Sequence, residues 1–113
     1  MHELAITQSV VDAVTERTGS ATIVSVRVRV GRLSGVVPDA LRFCFELVTE
    51  GTPLEGARLE IDQPEGRGRC RTCGAEFALP DPVLLCHCGS ADVEVLGGRE
   101  LAVASVVLDA GAA

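Results

Sequence analysis

The chain has 113 residues, 47% of them apolar, with a formal net charge of −6. That length allows one domain, or one small domain carrying a metal-stapled appendage. An acidic chain without Trp or Tyr, and with only Phe43, Phe45 and Phe77 to stack on a base, is expected to bind no nucleic acid.

The chain opens on Met1-His2-Glu3 and passes into a helical pattern. Ile6, Val10, Ala13 and Val14 fall at i, i+4, i+7 and i+8 and predict one apolar stripe. Glu3 near the start complements the helix dipole, and Gly19 fits a C-terminal cap. MHELAITQSV has neither the basic start nor the apolar core of a signal peptide. No apolar run along the chain reaches the length of a membrane span, so no membrane contact is expected.

Residues 22–30 read as a strand, with Val24, Val26, Val28 and Val30 on the buried face and Ser25, Arg27 and Arg29 on the other. One wet face implies a sheet covered by helices on one side only. Gly31 and Gly35 punctuate the next loop, and Pro38 suits the first turn of a second helix reaching about residue 49. Its stripe is Leu41, Cys44, Phe45 and Val48, with Cys44 read as a small buried side chain, and Gly51 ends it. Residues 58–63 form a short strand with Leu59 and Ile61 facing inward. Residues 64–69 switch to Gly, Arg and Glu and read as a linker. Then comes CRTCGAEFALPDPVLLCHC, in which 76–79 and 83–85 read as two short strands joined across Pro80-Asp81-Pro82. Gly97-Gly98 marks a return linker, and 101–108 is a final strand completing the sheet begun before the insertion. The expected fold is α+β: two helices on a three-stranded sheet, with an inserted four-cysteine zinc-ribbon lobe. The expected division is residues 1–65 plus 97–113 for the α/β part and 66–96 for the ribbon.

Four of the five cysteines fall in two tight pairs, Cys70/Cys73 and Cys86/Cys88, each followed by a glycine, Gly74 and Gly89. Four thiolates from two pairs can close a tetrahedral shell on Zn²⁺, and the glycines supply the positive φ that turns a knuckle back on its sulfurs. The second pair is C-x-C, one residue short, which leaves three readings open. All four cysteines bind, or His87 replaces a neighbour, or the pairs are redox-active or disulfide-bonded. A lobe of this size cannot fold on apolar burial alone, and a structural zinc contributes on the order of 10–16 kcal/mol in small peptides. A zinc centre with four thiolates takes the net charge to about −8. Arg67, Arg69 and Arg71 crowd the first knuckle, where they would neutralise that centre. Paired cysteines at metal spacing plus an odd one suit a reducing cytosol, so a cytoplasmic protein is expected.

The amino terminus carries a second metal-binding pattern. Histidine at position 2 offers an amine, an amide nitrogen and an imidazole within two residues. Their fused chelate rings can hold one ion by three nitrogens, and the next amide or Glu3 can close a square suited to Ni(II) or Cu(II). Taken alone, such a histidine is more often a solvated side chain. No enzyme is expected. Four thiolates leave no open zinc position for water, and the only histidines, His2 and His87, form no nucleophile–base–orienter set.

The starting Met-His-Glu, the run VGRLSGVVPDALRFCFELVTEGTPLEGARLEI, the two knuckles and the closing GGREL before an apolar strand resemble the hydrogenase maturation nickel metallochaperones. The likeness covers nearly the whole chain. It implies a cytosolic protein of two lobes that carries Ni(II) as transferred cargo and Zn(II) as a structural ion. It implies delivery of nickel, with a nickel-chaperone GTPase, to the hydrogenase large subunit precursor, and in some organisms an exchange with urease accessory proteins. By the same likeness His2 is the nickel ligand, aided by the Met1 amine and the backbone nitrogens toward Glu3. Cys70, Cys73, Cys86 and Cys88 take the zinc positions. The short Cys86-His87-Cys88 knuckle departs from the usual pattern and leaves the zinc geometry open. A homodimer is also left open. The alternative function is a zinc-ribbon module for protein or nucleic-acid interaction with no nickel role.

Overall fold

The computed structural model describes residues 2–109, which fold into two helices and two three-stranded sheets. In chain order these are α1 (Glu3–Thr18), β1 (Ile23–Val30), α2 (Pro38–Thr49), β2 (Arg58–Asp62), β3 (Gly66–Cys70), β4 (Glu76–Leu79), β5 (Val93–Gly97) and β6 (Leu101–Leu108). The first sheet has the order β2-β1-β6, with β2 parallel and β6 antiparallel to β1. The second has the order β4-β3-β5, antiparallel throughout. The last strand therefore returns to the sheet that opened the chain, and the metal-site segment lies between two strands of it. The whole is elongated, 58 × 24 × 18 Å.

Both helices cover one face of the first sheet. Val11 and Val14 of α1 meet Leu41 and Phe45 of α2 over Val26, Val28 and Val30 of β1, all nearly inaccessible to solvent. The α1 stripe is rotated from the expected one: Thr7, Val11 and Val14 are buried, Ile6 and Val10 only half so, and Ala13 is exposed. Thr7 can sit inside because its hydroxyl donates to its own helix, to the Glu3 carbonyl at 3.0 Å and the Leu4 carbonyl at 2.9 Å. So satisfied, it packs as a β-branched apolar residue. Thr49 does the same toward the Phe45 carbonyl at 2.7 Å.

Two strand expectations also change. In β1 the irregular register between Ile23 and Ser25 reverses the phase of alternation, so Ile23 and Ser25 are buried while Val24 is exposed. Cys44 is half-buried rather than enclosed. In the second sheet, residues 83–85 are not a strand. The Asp81 carboxylate accepts the Val83 amide at 2.9 Å in a turn flanked by Pro80 and Pro82, which leaves Val83 and Leu85 exposed. The strand partner is β5, ten residues later, and the expected linker at 64–69 is largely β3, the central strand. β3 resembled a linker because its inward positions are glycines. A Cβ at Gly68 would lie 2.8 Å from Val93 Cγ1 and 2.9 Å from Leu79 Cδ1, so those two side chains fill the space that the strand leaves.

The two sheets meet at a crossing of three backbones with no room for a side chain. A Cβ on Gly31 would strike the Gly98 carbonyl, and one on Gly98 would lie 2.6 Å from the Gly66 Cα. Leu33 sits over the crossing. Its amide donates to the Gly98 carbonyl at 2.7 Å, and a Cβ on Gly66 would come within 2.7 Å of Leu33 Cδ1. Gly31 donates to the Glu100 carbonyl at 2.8 Å and Arg32 to the Pro64 carbonyl at 3.0 Å. Gly98 in turn donates to Glu100 Oε1 at 2.6 Å.

Candidate metal centre

The Sγ atoms of Cys70, Cys73, Cys86 and Cys88 all lie within 4.8 Å of one another. Cys70 and Cys88 are 3.7 Å apart, Cys73 and Cys86 3.5 Å. A tetrahedral ion with bonds of roughly 2.3 Å separates its sulfurs by about 3.8 Å, so the four thiols already span a zinc-sized tetrahedron. A disulfide needs about 2.05 Å, and neither pair approaches it. Cys70 and Cys86 are buried, Cys73 and Cys88 exposed.

The two knuckles place these sulfurs. In the first, Cys70 ends β3, its amide donating to the Ala75 carbonyl at 2.9 Å, and Gly74 donates back to the Cys70 carbonyl at 2.8 Å with φ 79°. The Cys73 amide points at the Cys70 sulfur at 3.4 Å. In the second, Cys86 donates to the Ser90 carbonyl and Gly89, at φ 91°, donates to the Cys86 carbonyl, both at 2.9 Å. The missing residue thus shortens the second turn without moving either sulfur out of reach. A hydroxyl bridge of 2.8 Å between Thr72 and Ser90 joins the knuckles, and Arg71 pairs with Asp92 at 2.9 Å. Arg71 is therefore engaged by a carboxylate, while Arg67 and Arg69 point outward from β3. The Thr72–Ser90 and Arg71–Asp92 contacts escaped the sequence reading, although Ser90-Ala91-Asp92 after a knuckle carries a turn signal.

Electrostatics point the same way. Amide hydrogen bonds, from Cys73 above all and also from Thr72, hold the Cys70 thiol at about 6 against the effect of burial. Cys86 also receives a lowering bond from Cys88, yet desolvation and the neighbouring thiols push it up to about 12. Four sulfurs this close cannot all ionise by themselves. A divalent cation among them removes the conflict and lets all four act as thiolates.

His87 does not join the sulfurs. Its ring packs against Phe77, with centroids 6.5 Å apart and planes tilted by 57°. Behind the site, Cys70, Cys86 and Val93 form a small core with Phe77 and Leu84.

His2 and Glu3 lie on the other lobe, at the start of α1. His2 is exposed and occupies the N-cap position, its carbonyl accepting the Ile6 amide at 3.1 Å. Met1 lies outside the described residues. Glu3 Oε2 accepts the amide of Val37, the N-cap residue of α2, at 3.1 Å. That bond holds the Glu3 carboxyl below the usual carboxylate value. Val37 belongs to the same short loop as Gly31 and Leu33, so the amino terminus is anchored to the segment that crosses the second sheet.

The fold and site define a class: a small α/β lobe with an open amino terminus, joined to a ribbon whose four thiols are set for one tetrahedral ion. A family model described as hydrogenase/urease nickel incorporation, metallochaperone, hypA matches residues 1–108. The chain belongs to this family of nickel metallochaperones of hydrogenase maturation, which are not enzymes. It is 45% identical over 109 residues to the hydrogenase maturation factor HypA of Nostoc punctiforme, covering 96% of each chain. It is 51% identical over 104 residues to that of Geotalea uraniireducens, covering 91% of this chain and 94% of the relative. The fold is similar to the solution structure of the Ni metallochaperone HypA from Helicobacter pylori, with a TM-score of 0.65 at 21% identity, over 96% of this chain and 97% of that one. Among the described residues no helix is long and apolar enough to cross a membrane.

Proposed function

We propose that this protein takes up Ni(II) at its amino terminus and hands it to the hydrogenase large subunit precursor, working with a nickel-chaperone GTPase, while Cys70, Cys73, Cys86 and Cys88 hold a structural Zn(II). Exchange with urease accessory proteins belongs to the same reading. In it, residues 1–65 with 97–113 act as the nickel-binding unit and 66–96 as the zinc unit. Four thiolates close the zinc shell, which leaves that ion no position for exchangeable cargo.

The observation that carries the nickel reading is the setting of His2, exposed at the end of a rigid helix with no side-chain partner at the cap. The Met1 amine, the intervening amides and the His2 imidazole supply nitrogens for a planar site, and Glu3 stands next to them. An exposed terminal site can receive and release an ion without opening the fold, as a carrier must. The family description supports nickel over copper.

The test is metal binding by untagged protein. His2→Ala removes specific Ni²⁺ binding with zinc content and fold retained. An N-terminal extension that moves His2 inward has nearly the same effect, although every side chain is kept. Nickel binding undiminished in both proteins would place the nickel site elsewhere, as would be the case for a ribbon module without a cargo role.

A further inference from the structure

The first sheet has two edges, and they are built differently. At one edge, β2 reads RLEID. Charged Arg58, Glu60 and Asp62 alternate along it, Arg27 pairs with Glu60 at 3.0 Å, and the Arg42 guanidinium donates to the Leu59 carbonyl at 2.7 Å. Charges along a strand and a capped carbonyl are the devices that keep an edge from recruiting another chain. At the other edge, β6 reads LAVASVVL, eight residues with no charge, proline or glycine. It pairs with β1 on one side only. Leu101, Val107 and Leu108 are exposed. Val103 and Val106 pair with fully buried Val28 and Val26, yet remain half-exposed themselves.

Those two valines are half-exposed because α1 covers β6 incompletely. A groove runs between them, lined first by Ile6, Val10 and Val103 and further along by Ala13, Arg17 and Val106. The flank of α1 above it carries exposed small residues, Ala5, Ser9 and Ala13, followed by Glu16 and Arg17.

We infer that β6 is a self-association edge, at which two copies of this chain join β6 to β6 antiparallel and extend the three-stranded sheet to six strands. Three observations favour a second copy as the occupant. A chain of net charge −6 repels its own copy over most of its surface, and β6 is an uncharged strip where two copies meet without opposing charges. About a two-fold axis through the middle of β6, Val103 of one copy faces Val106 of the other, so the half-exposed valines complete each other's burial. The same axis sets α1 against α1 along the small-residue flank, with Glu16 and Arg17 of one helix near Arg17 and Glu16 of the other. The antiparallel arrangement also sends the two ribbons and the two His2 termini to opposite ends, clear of the seam.

The experiment is sedimentation of the zinc-loaded full chain over a concentration series, with amide hydrogen exchange along β6. The expected species at high concentration has about twice the 11.8 kDa chain mass, and β6 amides gain protection as it forms. Ser105 pairs with Arg27, so Ser105→Glu gains an opposite charge within the chain but places like charges near the axis. That variant stays monomeric with its zinc and circular dichroism unchanged. A wild-type chain that stays monomeric throughout the series overturns the inference. So does a dimer that survives Ser105→Glu, or one whose β6 amides exchange as in the monomer. A monomer whose β6 amides become protected only when a different protein is added assigns the edge to a foreign strand, and also overturns it.

Discussion

The Glu3 carboxylate accepts the backbone amide of Val37 at 3.1 Å, so the third residue of the chain caps a helix that begins 35 residues later. Neither helix has a side-chain cap from its own N-cap residue, His2 or Val37. Glu3 thus places one negative charge at two helix N-termini, where both dipoles favour it.

This contact separates two roles for Glu3. Glu3→Gln keeps an acceptor for Val37 but gives up the charge, whereas Glu3→Ala gives up both. The alanine variant is expected to lower stability by about 0.5–2 kcal/mol, the usual cost of a lost cap, and the glutamine variant by less. If the carboxylate also closes the nickel square, Glu3→Gln weakens Ni²⁺ binding and shifts its visible spectrum. If the next amide does so, the spectrum stays. Thermal melts of the metal-free lobe and nickel titrations read the two roles independently.

The same contact sets a pH dependence. The folded carboxyl of Glu3 lies below its ordinary value because of the Val37 bond, so its contribution is fully present above that ordinary value. It is lost as the pH falls through the lower, folded value. The Val37 amide resonance should follow that titration in the acid range, and in Glu3→Gln it should not move.

Nickel affinity has the opposite source of pH dependence. A terminal amine and an amide must lose protons to bind, so apparent Ni²⁺ affinity is expected to increase with pH across the neutral range. Calorimetry in buffers of different ionisation enthalpy measures the protons released. Blocking the amine by acetylation should remove most of that release.

The four-sulfur shell makes a plain prediction about the short knuckle. X-ray absorption of the zinc-loaded protein should show sulfur neighbours only, and His87→Ala should keep the metal, since the ring stacks on Phe77. Cys70→Ser and chelation should both disorder the second sheet while the helices persist, because its small core of Cys70, Cys86 and Val93 is built on the ligands themselves. Far-ultraviolet circular dichroism and the Val93 methyl resonances distinguish the two regions.

The glycine crossing should be the position least tolerant of a methyl group. Gly66→Ala would put its Cβ 2.5 Å from the Leu79 carbonyl oxygen and 2.7 Å from Leu33 Cδ1. A loss of more than about 2 kcal/mol is expected, in the range of severe overpacking. Gly56 is the control: it has positive φ, 79°, but nothing lies within 4 Å of an added Cβ. Gly56→Ala should cost about 1 kcal/mol from backbone strain alone. Denaturant melts of the zinc-loaded proteins compare them.

The sequence by itself determined the elements whose signals are local. Both helices, the β1 run of valines, the final apolar strand and the two cysteine pairs with their turning glycines were legible from spacing, because period and positive φ are properties of a few neighbouring residues. Tertiary structure decided what depends on distant partners. The Thr7 hydroxyl is satisfied within its own helix, and that let a polar residue replace Ala13 on the buried stripe. β3 could not be seen as a strand because its inward positions are glycines, whose space is filled by Leu79 and Val93 from other strands. Residues 83–85 have strand composition but follow a Pro-Asp-Pro turn, and the register of β3 instead selects β5. Whether a C-x-C knuckle can complete a tetrahedron was likewise undecidable from spacing, because it depends on where the first knuckle holds Cys70 and Cys73. With Thr72 bonded to Ser90 across the two turns, all four sulfurs come within reach of one ion.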